Sequence, residues 1–417
     1  MASKYQAPRG TFDVLPESSW ARARVEAAAS GIFARAGYGR IATPAFEDTE
    51  LFERGVGRST DIVRKEMFTF EDKGGRSITL RPEGTAPICR AYLEHGMQKL
   101  AQPVKLAYSG PFFRHERPQA GRYRQFHQIG AEAIGSDSPL ADAESIGLLA
   151  ELLTELGVPG VELRLGSLGS LEARRAYLDE LKAHLHANEG ELSEDVRERI
   201  DVNPLRAFDS DHEGTRGVME GAPTIVERLE GDDAEHFAEV RALLEAAGVE
   251  YSIDPTLVRG LDYYTRTIFS FVCDRLGAQS EIGGGGRYDG LIEQLGGPPT
   301  PAVGWAAGIE RLLLALGEEG ETPAAPAVFI SHDASSPEAG RTALALAGEL
   351  RRAGLAAEVD LAGRSAKGQF KHANRIGADL VVVLGDDGGL QLRDMESGEQ
   401  EPVEGGDLVA EIERRRS

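Results

Sequence analysis

Cysteine is nearly absent: Cys89 and Cys273 are the only two in 417 residues, both in apolar surroundings and with no CxxC pair. That scarcity excludes a disulfide scaffold and a structural zinc site of paired thiolates, and it suits a reduced, cytoplasmic protein. Long apolar runs are missing too, so no membrane-spanning helix and no membrane partner are expected. Residues 1–10 are polar and lack the apolar core of a signal peptide. Positive charge is the third scarcity. Lys and Arg total 46 against 68 Asp and Glu, a net charge of -22. Proteins that live by neutralising phosphate are usually basic. On composition alone an RNA partner is therefore disfavoured, and any RNA-binding groups must be concentrated locally.

What is present is ordinary for a globular chain: 41% hydrophobic and 27% charged residues. The length suits two or three domains. A polar arm (7–16) precedes a predicted helix over 17–36, ended by Gly37. A short strand over 41–46, broken by Pro44, another over 77–80, and a helix over 86–94 follow. Residues 104–114 and 125–134 read as two strands of an antiparallel hairpin joined by a long Arg-rich loop. A helix over 141–156 and a strand over 161–165 come next. From 171 to 248 the chain turns helical and strongly charged, which predicts an inserted helical subdomain. Strands are expected over 257–271 and near 279–282, then a strand-to-helix unit over 302–316. Ile309, Leu312, Leu313 and Leu316 recur at helical spacing there, one buried face.

Residues 318–326 form a Pro/Glu/Gly linker, the clearest boundary in the chain. It divides an expected domain over 1–325 from one over 326–417. In the second, strands over 327–331, 357–360 and 380–384 alternate with helices over 337–353 and 367–376. A polar hairpin and a last helix complete it. That order predicts a small α/β domain with a mainly parallel sheet.

The strand over 125–134 carries the most chemistry. Strand side chains alternate faces, so Phe126, Gln128, Gly130 and Glu132 share one, and His127, Ile129, Ala131 and Ala133 the other. The second face is mostly apolar and is expected under helices. The first sets an amide and a carboxylate on either side of a glycine, a floor on which a small ligand can lie. A half-exposed sheet with ordinary polar residues fits the same alternation. The preceding loop holds Arg114, Glu116, Arg117, Arg122 and Arg124. Guanidinium forks bind phosphate bidentately, though a solvated charged loop has the same composition. Arg114 and Arg122 could converge on a polyphosphate, with Phe126 stacking a base beside it.

Four further features have an ordinary explanation as well as a functional one. The run Gly283-Gly284-Gly285-Gly286 lacks the Lys-Ser/Thr of a phosphate loop, so it reads as a close backbone approach. His184 and His186 have no carboxylate or cysteine spaced as in a metal site. His115 and His127 have weak claims as ligands. Lys367, Lys371 and Arg375 share one helix face, with Arg364 and His372 nearby. An amphipathic helix explains them, and an RNA-facing role explains them slightly better in so acidic a chain.

At this point a resemblance becomes specific. Phe112-Phe113-Arg114-His115-Glu116-Arg117-Pro118-Gln119 followed by Gly121-Arg122-Tyr123-Arg124-Gln125-Phe126-His127-Gln128 resembles motif 2 of class II aminoacyl-tRNA synthetases in its histidine-specific form. Gly37 to Pro44 resembles the dimer-forming motif 1, and Arg81-Pro82-Glu83-Gly84-Thr85-Ala86 the amino-acid-binding loop. Leu257-Val258-Arg259-Gly260-Leu261-Asp262-Tyr263-Tyr264 resembles a motif diagnostic of the histidine enzymes, and Gly308-Ile309-Glu310-Arg311-Leu312 resembles motif 3. They stand in the family's order and span nearly the whole chain.

The resemblance implies an α+β catalytic domain on an antiparallel sheet, class II synthetase-like, with the helical insertion over 171–248 and a C-terminal α/β anticodon-binding domain. It implies a homodimer that joins L-histidine to tRNA(His), using ATP with Mg²⁺ and no zinc. By family position Arg114 and Arg259 are the catalytic residues. Glu83, Gly84, Thr85, Arg114, Gln128, Glu132, Arg259, Tyr263, Tyr264 and Tyr288 would bind histidine. Arg114, Glu116, Arg122, Phe126 and Arg311 would bind ATP. Two rival readings keep the fold without the catalysis. One is an inactive paralogue acting as regulatory subunit of ATP phosphoribosyltransferase, which lacks the C-terminal domain and the Arg-Gly-Leu-Asp-Tyr-Tyr run. The other is a synthetase-like RNA sensor.

Overall fold

The computed structural model describes residues 5–57, 60–277, 280–317, 328–385 and 387–416. The chain forms two compact units, Met1–Gly320 and Glu321–Ser417. The predicted linker over 318–326 lies outside the described residues.

In chain order the strands of the first unit are β1 (Gly39–Arg40), β2 (Phe46–Asp48), β3 (Phe68–Glu71), β4 (Ser77–Leu80), β5 (Val104–Phe113), β6 (Gln125–Ile134), β7 (Val161–Ser167), β8 (Ser252–Ile253), β9 (Thr265–Cys273), β10 (Glu281–Arg287) and β11 (Ala302–Gly308). Eight of them make one sheet, ordered β1-β5-β6-β11-β10-β9-β7-β8. Its six central strands pair antiparallel, and only the edge pairs β1–β5 and β7–β8 are parallel. A second, three-stranded sheet runs β2-β4-β3.

Helices cover one face of the large sheet. Pro16–Arg35, Pro139–Leu156, Gly231–Ala246 and Ile309–Leu316 bury Ile32, Leu149, Val240 and Leu312 against Ile129, Ala131, Trp305 and Phe269. The Pro139–Leu156 helix shows why such segments form. Ser138 caps it by accepting from the Leu140 N–H at 3.2 Å, Pro139 presets the first turn, and Gly157 ends it at φ +72°. The predicted parity of β6 is observed: Ile129 and Ala131 face this helix layer, and Phe126 packs with the cluster on the opposite face.

Two predicted strands are not continuous. The segment expected as a strand over 41–46 is irregular between β1 and β2, which lie in different sheets. Pro44 has no N–H to give a ladder, and the chain changes sheets around it. Over 257–264 the alternating pattern forms an irregular loop, and β9 begins only at Thr265. Leu257, Val258 and Leu261 pack onto the cluster that holds Tyr263 and Tyr264, so tertiary packing uses the apolar residues without a ladder. The entry into β9 is made at Arg266, whose φ of +47° is held by its N–H donating to Gly169 O at 2.7 Å and its Nε to Asp233 at 3.0 Å.

The helical stretch over 171–248 divides by its packing. Helix Leu171–Ala187 and the short turns up to Ile225–Arg228 pack through Tyr177, Leu181, Leu185 and Leu205 on the side of the sheet away from the helix layer. Gly231–Ala246 instead belongs to that layer, through Phe237, Val240 and Leu244.

The glycine run lies inside β10. A Cβ on Gly285 would fall 1.9 Å from the Gly304 carbonyl oxygen, and one on Gly284 2.5 Å from that of Phe269. Side chains there would force the neighbouring strands apart, which confirms a close backbone approach and leaves a bare floor.

At the end of β10 Arg287 is fully buried. It donates from Nε to Asp142 at 3.2 Å, pairs with it again through Nη2, and donates from Nη1 to Ser136 O at 2.8 Å and to Asp289 at 3.1 Å. Burial alone would raise the Asp142 pKa, yet His236 and Arg287 hold it below the ordinary carboxylate range. Asp142→Ala would leave a buried guanidinium without its main partner, at a cost of about 3–5 kcal/mol. Denaturant midpoints check this, and the double variant Asp142→Ala/Arg287→Met should recover part of the loss.

The second unit holds β12 (Val328–Ser331), β13 (Ala357–Val359), β14 (Leu380–Leu384), β15 (Leu390–Asp394) and β16 (Gln400–Val403), ordered β13-β12-β14-β15-β16. The first three are parallel and the last two form the antiparallel hairpin. Helices Pro337–Arg352 and Leu408–Arg416 pack on Val328 and Ile330, while Ala366–Arg375 packs on Phe329 and Val381. Alternate residues of β12 thus serve opposite faces, as strand geometry requires.

Candidate active site

On the sheet face away from the helix layer lies a cleft of about 810 Å³, floored by β5, β6, β9, β10 and β11. Every expected site residue lines it except Glu132.

One end is closed by the helix Thr85–Glu94. Glu83 sits just before it and accepts from the Thr85 and Ala86 N–H groups at 2.8 and 3.0 Å. The unpaired N–H groups of a helix start favour such a carboxylate. Burial raises the Glu83 pKa against those bonds. Tyr263 donates to Glu83 at 3.4 Å and packs its ring between Tyr264 and Tyr288, at centroid distances of 4.8 and 5.7 Å.

Glu132 lies behind this group. Thr85 Oγ1 donates to its Oε1 at 2.8 Å and the Tyr288 hydroxyl to its Oε2 at 2.6 Å. A Cβ on Gly304 would stand 1.7 Å from Oε2. Burial pushes the Glu132 carboxyl up to about 8; the Tyr288 and Thr85 bonds oppose this, and nearby Glu83 adds to it.

Tyr108 is a wall that the sequence reading missed. Its ring lies 2.8 Å from where a Gly84 Cβ would stand and 2.5 Å from that of Gly130. Those two glycines exist for the tyrosine. The Tyr108 hydroxyl and Gln128 Oε1 are buried with no hydrogen-bond partner, and both residues line the cleft. Buried polar atoms are normally satisfied, so this hydroxyl and this amide oxygen call for a polar ligand.

The other end is rich in arginine. Arg114 is fixed by donation from Nε to Pro82 O at 2.9 Å, and its guanidinium stands 5.3 Å from the Phe126 ring centroid. Glu116 lies between Arg114 and Arg122, at 3.7 and 3.4 Å. Arg259 donates to Glu281 at 2.6 Å and stands 5.8 Å from the Tyr264 ring centroid. Arg311 Nε donates to the Glu281 carbonyl. Glu310, its neighbour, accepts from the His127 N–H at 3.0 Å and fixes the helix start to β6. This arrangement can take a polyanion along the arginines and a small polar group among the tyrosines. From the helical stretch, Arg206, Phe208, Asp209 and Asp211 reach the same cleft.

In the second unit Lys367, Lys371 and Arg375 are exposed on one helix. Arg364 is paired with Asp360 at 2.5 Å, and the His372 ring stands edge-on to Phe329 at 5.7 Å, so those two serve the fold as well. Among the described residues no His, Cys, Asp and Glu group is arranged to hold a metal ion, and no helix is long and apolar enough to cross a membrane.

Comparison with known proteins agrees with this geometry. The family model "Histidyl-tRNA synthetase" matches residues 10–312, and "Anticodon binding domain" matches 328–415. A histidine–tRNA ligase of Rubrobacter xylanophilus is 49% identical over 96% of this chain and 97% of its own. One of Anaeromyxobacter dehalogenans is 49% identical over 98% and 99%. The solved apo histidyl-tRNA synthetase of S. aureus is 37% identical, covers 98% of this chain and 99% of its own, and superposes with a TM-score of 0.81.

Proposed function

Since the chain belongs to the histidyl-tRNA synthetase family and is a histidine–tRNA ligase, we propose that the cleft described above is where it activates L-histidine with ATP before passing the histidine to tRNA(His). The observation that carries this reading is the meeting, in one cleft, of Arg114, Arg122, Arg259 and Arg311 with a tyrosine-lined polar pocket. The inactive-paralogue reading is set aside. The chain has an anticodon-binding domain and the complete run from Arg259 to Tyr264. RNA binding is compatible with a net charge of -22, because Lys367, Lys371 and Arg375 stand exposed together on one helix of the second unit.

In the first step a histidine carboxylate oxygen bonds to the α-phosphorus, and the bond to the leaving pyrophosphate breaks. The nucleophile is already ionised, so alignment and charge stabilisation are what the residues must supply. Arg114 and Arg259 hold the α-phosphate, and Arg311 holds the far end of the triphosphate. Glu116, Arg122 and Phe126 flank the adenine end. Mg²⁺ enters with ATP as part of the substrate. Glu116 and Glu281 already face arginines, so the ion's ligands come chiefly from phosphate and water.

Glu83, Thr85 and Gln128 take the α-amino group, with Gly84 leaving room beside Tyr108. Tyr263, Tyr264, Tyr288 and Glu132 surround the imidazole, which offers one donor and one acceptor nitrogen. Glu132 reaches it once Thr85 or Tyr288 gives up its bond. The protein works in the cytoplasm as a homodimer formed through the region around Gly37 to Pro44. The exposed edge strand β1 and the exposed Phe46 and Phe70 support that assembly. Labelled histidine, ATP and a tRNA(His) transcript test the reading. Acid-stable transfer of label to this transcript, and not to one for another amino acid, is the expected result.

A further inference from the structure

We propose that Glu281 is a positioning residue that sets the two phosphate-facing arginines, Arg259 through its carboxylate and Arg311 through its carbonyl. The inference rests on the reading of the cleft as an ATP site. Glu281 opens β10, where the pairing with β9 shifts register between Glu281 and Gly283. Bulges of this kind re-aim a side chain beside a site. The Glu281 carboxylate accepts from Arg259 Nη1 at 2.6 Å and from Ser270 Oγ on β9 at 3.1 Å, so a neighbouring strand fixes its direction. Its carbonyl accepts from Arg311 Nε.

Arg259 needs such an anchor because it comes from the irregular loop over 257–264, with no ladder to hold its backbone. Gly284 gives it space: a Cβ there would lie 3.0 Å from Arg259 Nη1. Arg259 Nε is buried without a hydrogen-bond partner, so the anchored guanidinium keeps a donor for an incoming oxyanion. A carboxylate between two arginines also relieves their mutual repulsion before ATP arrives. Glu281 touches neither substrate; it acts through Arg259 and Arg311.

The test is histidine-dependent ATP–pyrophosphate exchange by the full-length chain with Glu281→Ala, Glu281→Gln, Arg259→Ala and the double variant Arg259→Ala/Glu281→Ala. Glu281→Ala should lower kcat by about 10–100-fold, the penalty of a misplaced catalytic group. The variant should stay folded by circular dichroism and keep the KM for histidine within about threefold, since the pocket end is untouched. Glu281→Gln, which keeps an acceptor without the charge, should fall between. With Arg259 already removed, Glu281→Ala should cost nothing more. An equal cost with and without Arg259, a wild-type kcat, or a gain in rate would overturn the proposal. Absence of exchange by the wild-type protein would overturn the ATP-site reading with it.

Discussion

Arg259→Ala is expected to lower the kcat of histidine-dependent ATP–pyrophosphate exchange by about 10²–10³-fold, the usual loss when a preorganised charge stabiliser is removed. The size follows from what the cleft contains. No base is needed for an ionised nucleophile, so in the proposed reaction the arginines would carry the electrostatic part of the catalysis. Arg259 is the one that bridges the pocket and phosphate ends: it packs near the Tyr264 ring and is anchored by Glu281. Arg114 and Arg311 remain in the variant and account for the residual rate. Arg259→Lys should recover little, because a point charge does not reproduce the guanidinium fork. The KM for histidine should move far less than kcat, since Glu83, Thr85 and Gln128 are unchanged. A fall in exchange of less than about threefold would remove Arg259 from the chemistry.

The second large effect concerns pH. Free imidazole titrates near about 6.5, and burial places Glu132 at about 8. Between these values the pocket holds a protonated carboxyl and the ligand a neutral ring, so the pair carries the one proton it shares. Below about 6.5 the free ligand is protonated as well, and binding must release a proton. Above about 8 Glu132 is ionised, and binding must take one up. The expected kcat/KM for histidine is therefore bell-shaped with limbs near those two values.

Glu132→Gln should abolish the upper limb and raise the KM for histidine by about 10²-fold, the discrimination lost when a buried polar match is broken. The KM for ATP should stay within about threefold. An unchanged upper limb, or equal losses for both substrates, would take Glu132 out of histidine recognition. The same shift has a stability consequence. The folded protein holds this proton more tightly than the unfolded chain, whose value is near 4.5. The stabilisation is fully present below about 4.5 and is lost as pH rises through about 8.

Local signals accounted for much of this architecture. Ile309 to Leu316 declared a helix by spacing, and Gln125 to Ile134 declared its two faces by alternation. The breaks came where tertiary packing overrode pattern. Residues 257–264 alternate like a strand but wrap onto the Tyr263–Tyr264 cluster, and the helix Gly231–Ala246, inside the stretch whose charge predicts an insertion, packs on Pro139–Leu156. At the site, the motif residues converge on one cleft, while Glu132 sits a layer deeper than strand parity suggested. Tyr108 and Glu281 carried no local signal. Their meaning depends on register: Tyr108 faces Gly130 across β5 and β6, and Glu281 meets Arg259 across 22 positions of sequence. Acidic composition points away from RNA because net charge averages over the whole surface and does not register a local group such as Lys367, Lys371 and Arg375.

ATP–pyrophosphate exchange with each of the twenty amino acids offered singly decides most directly whether the pocket is built for histidine. Exchange that requires histidine, with every other amino acid at background, is the result predicted from a pocket whose buried polar groups match an imidazole. Well-folded protein that exchanges with no amino acid, or equally well with one lacking a ring nitrogen, would contradict it.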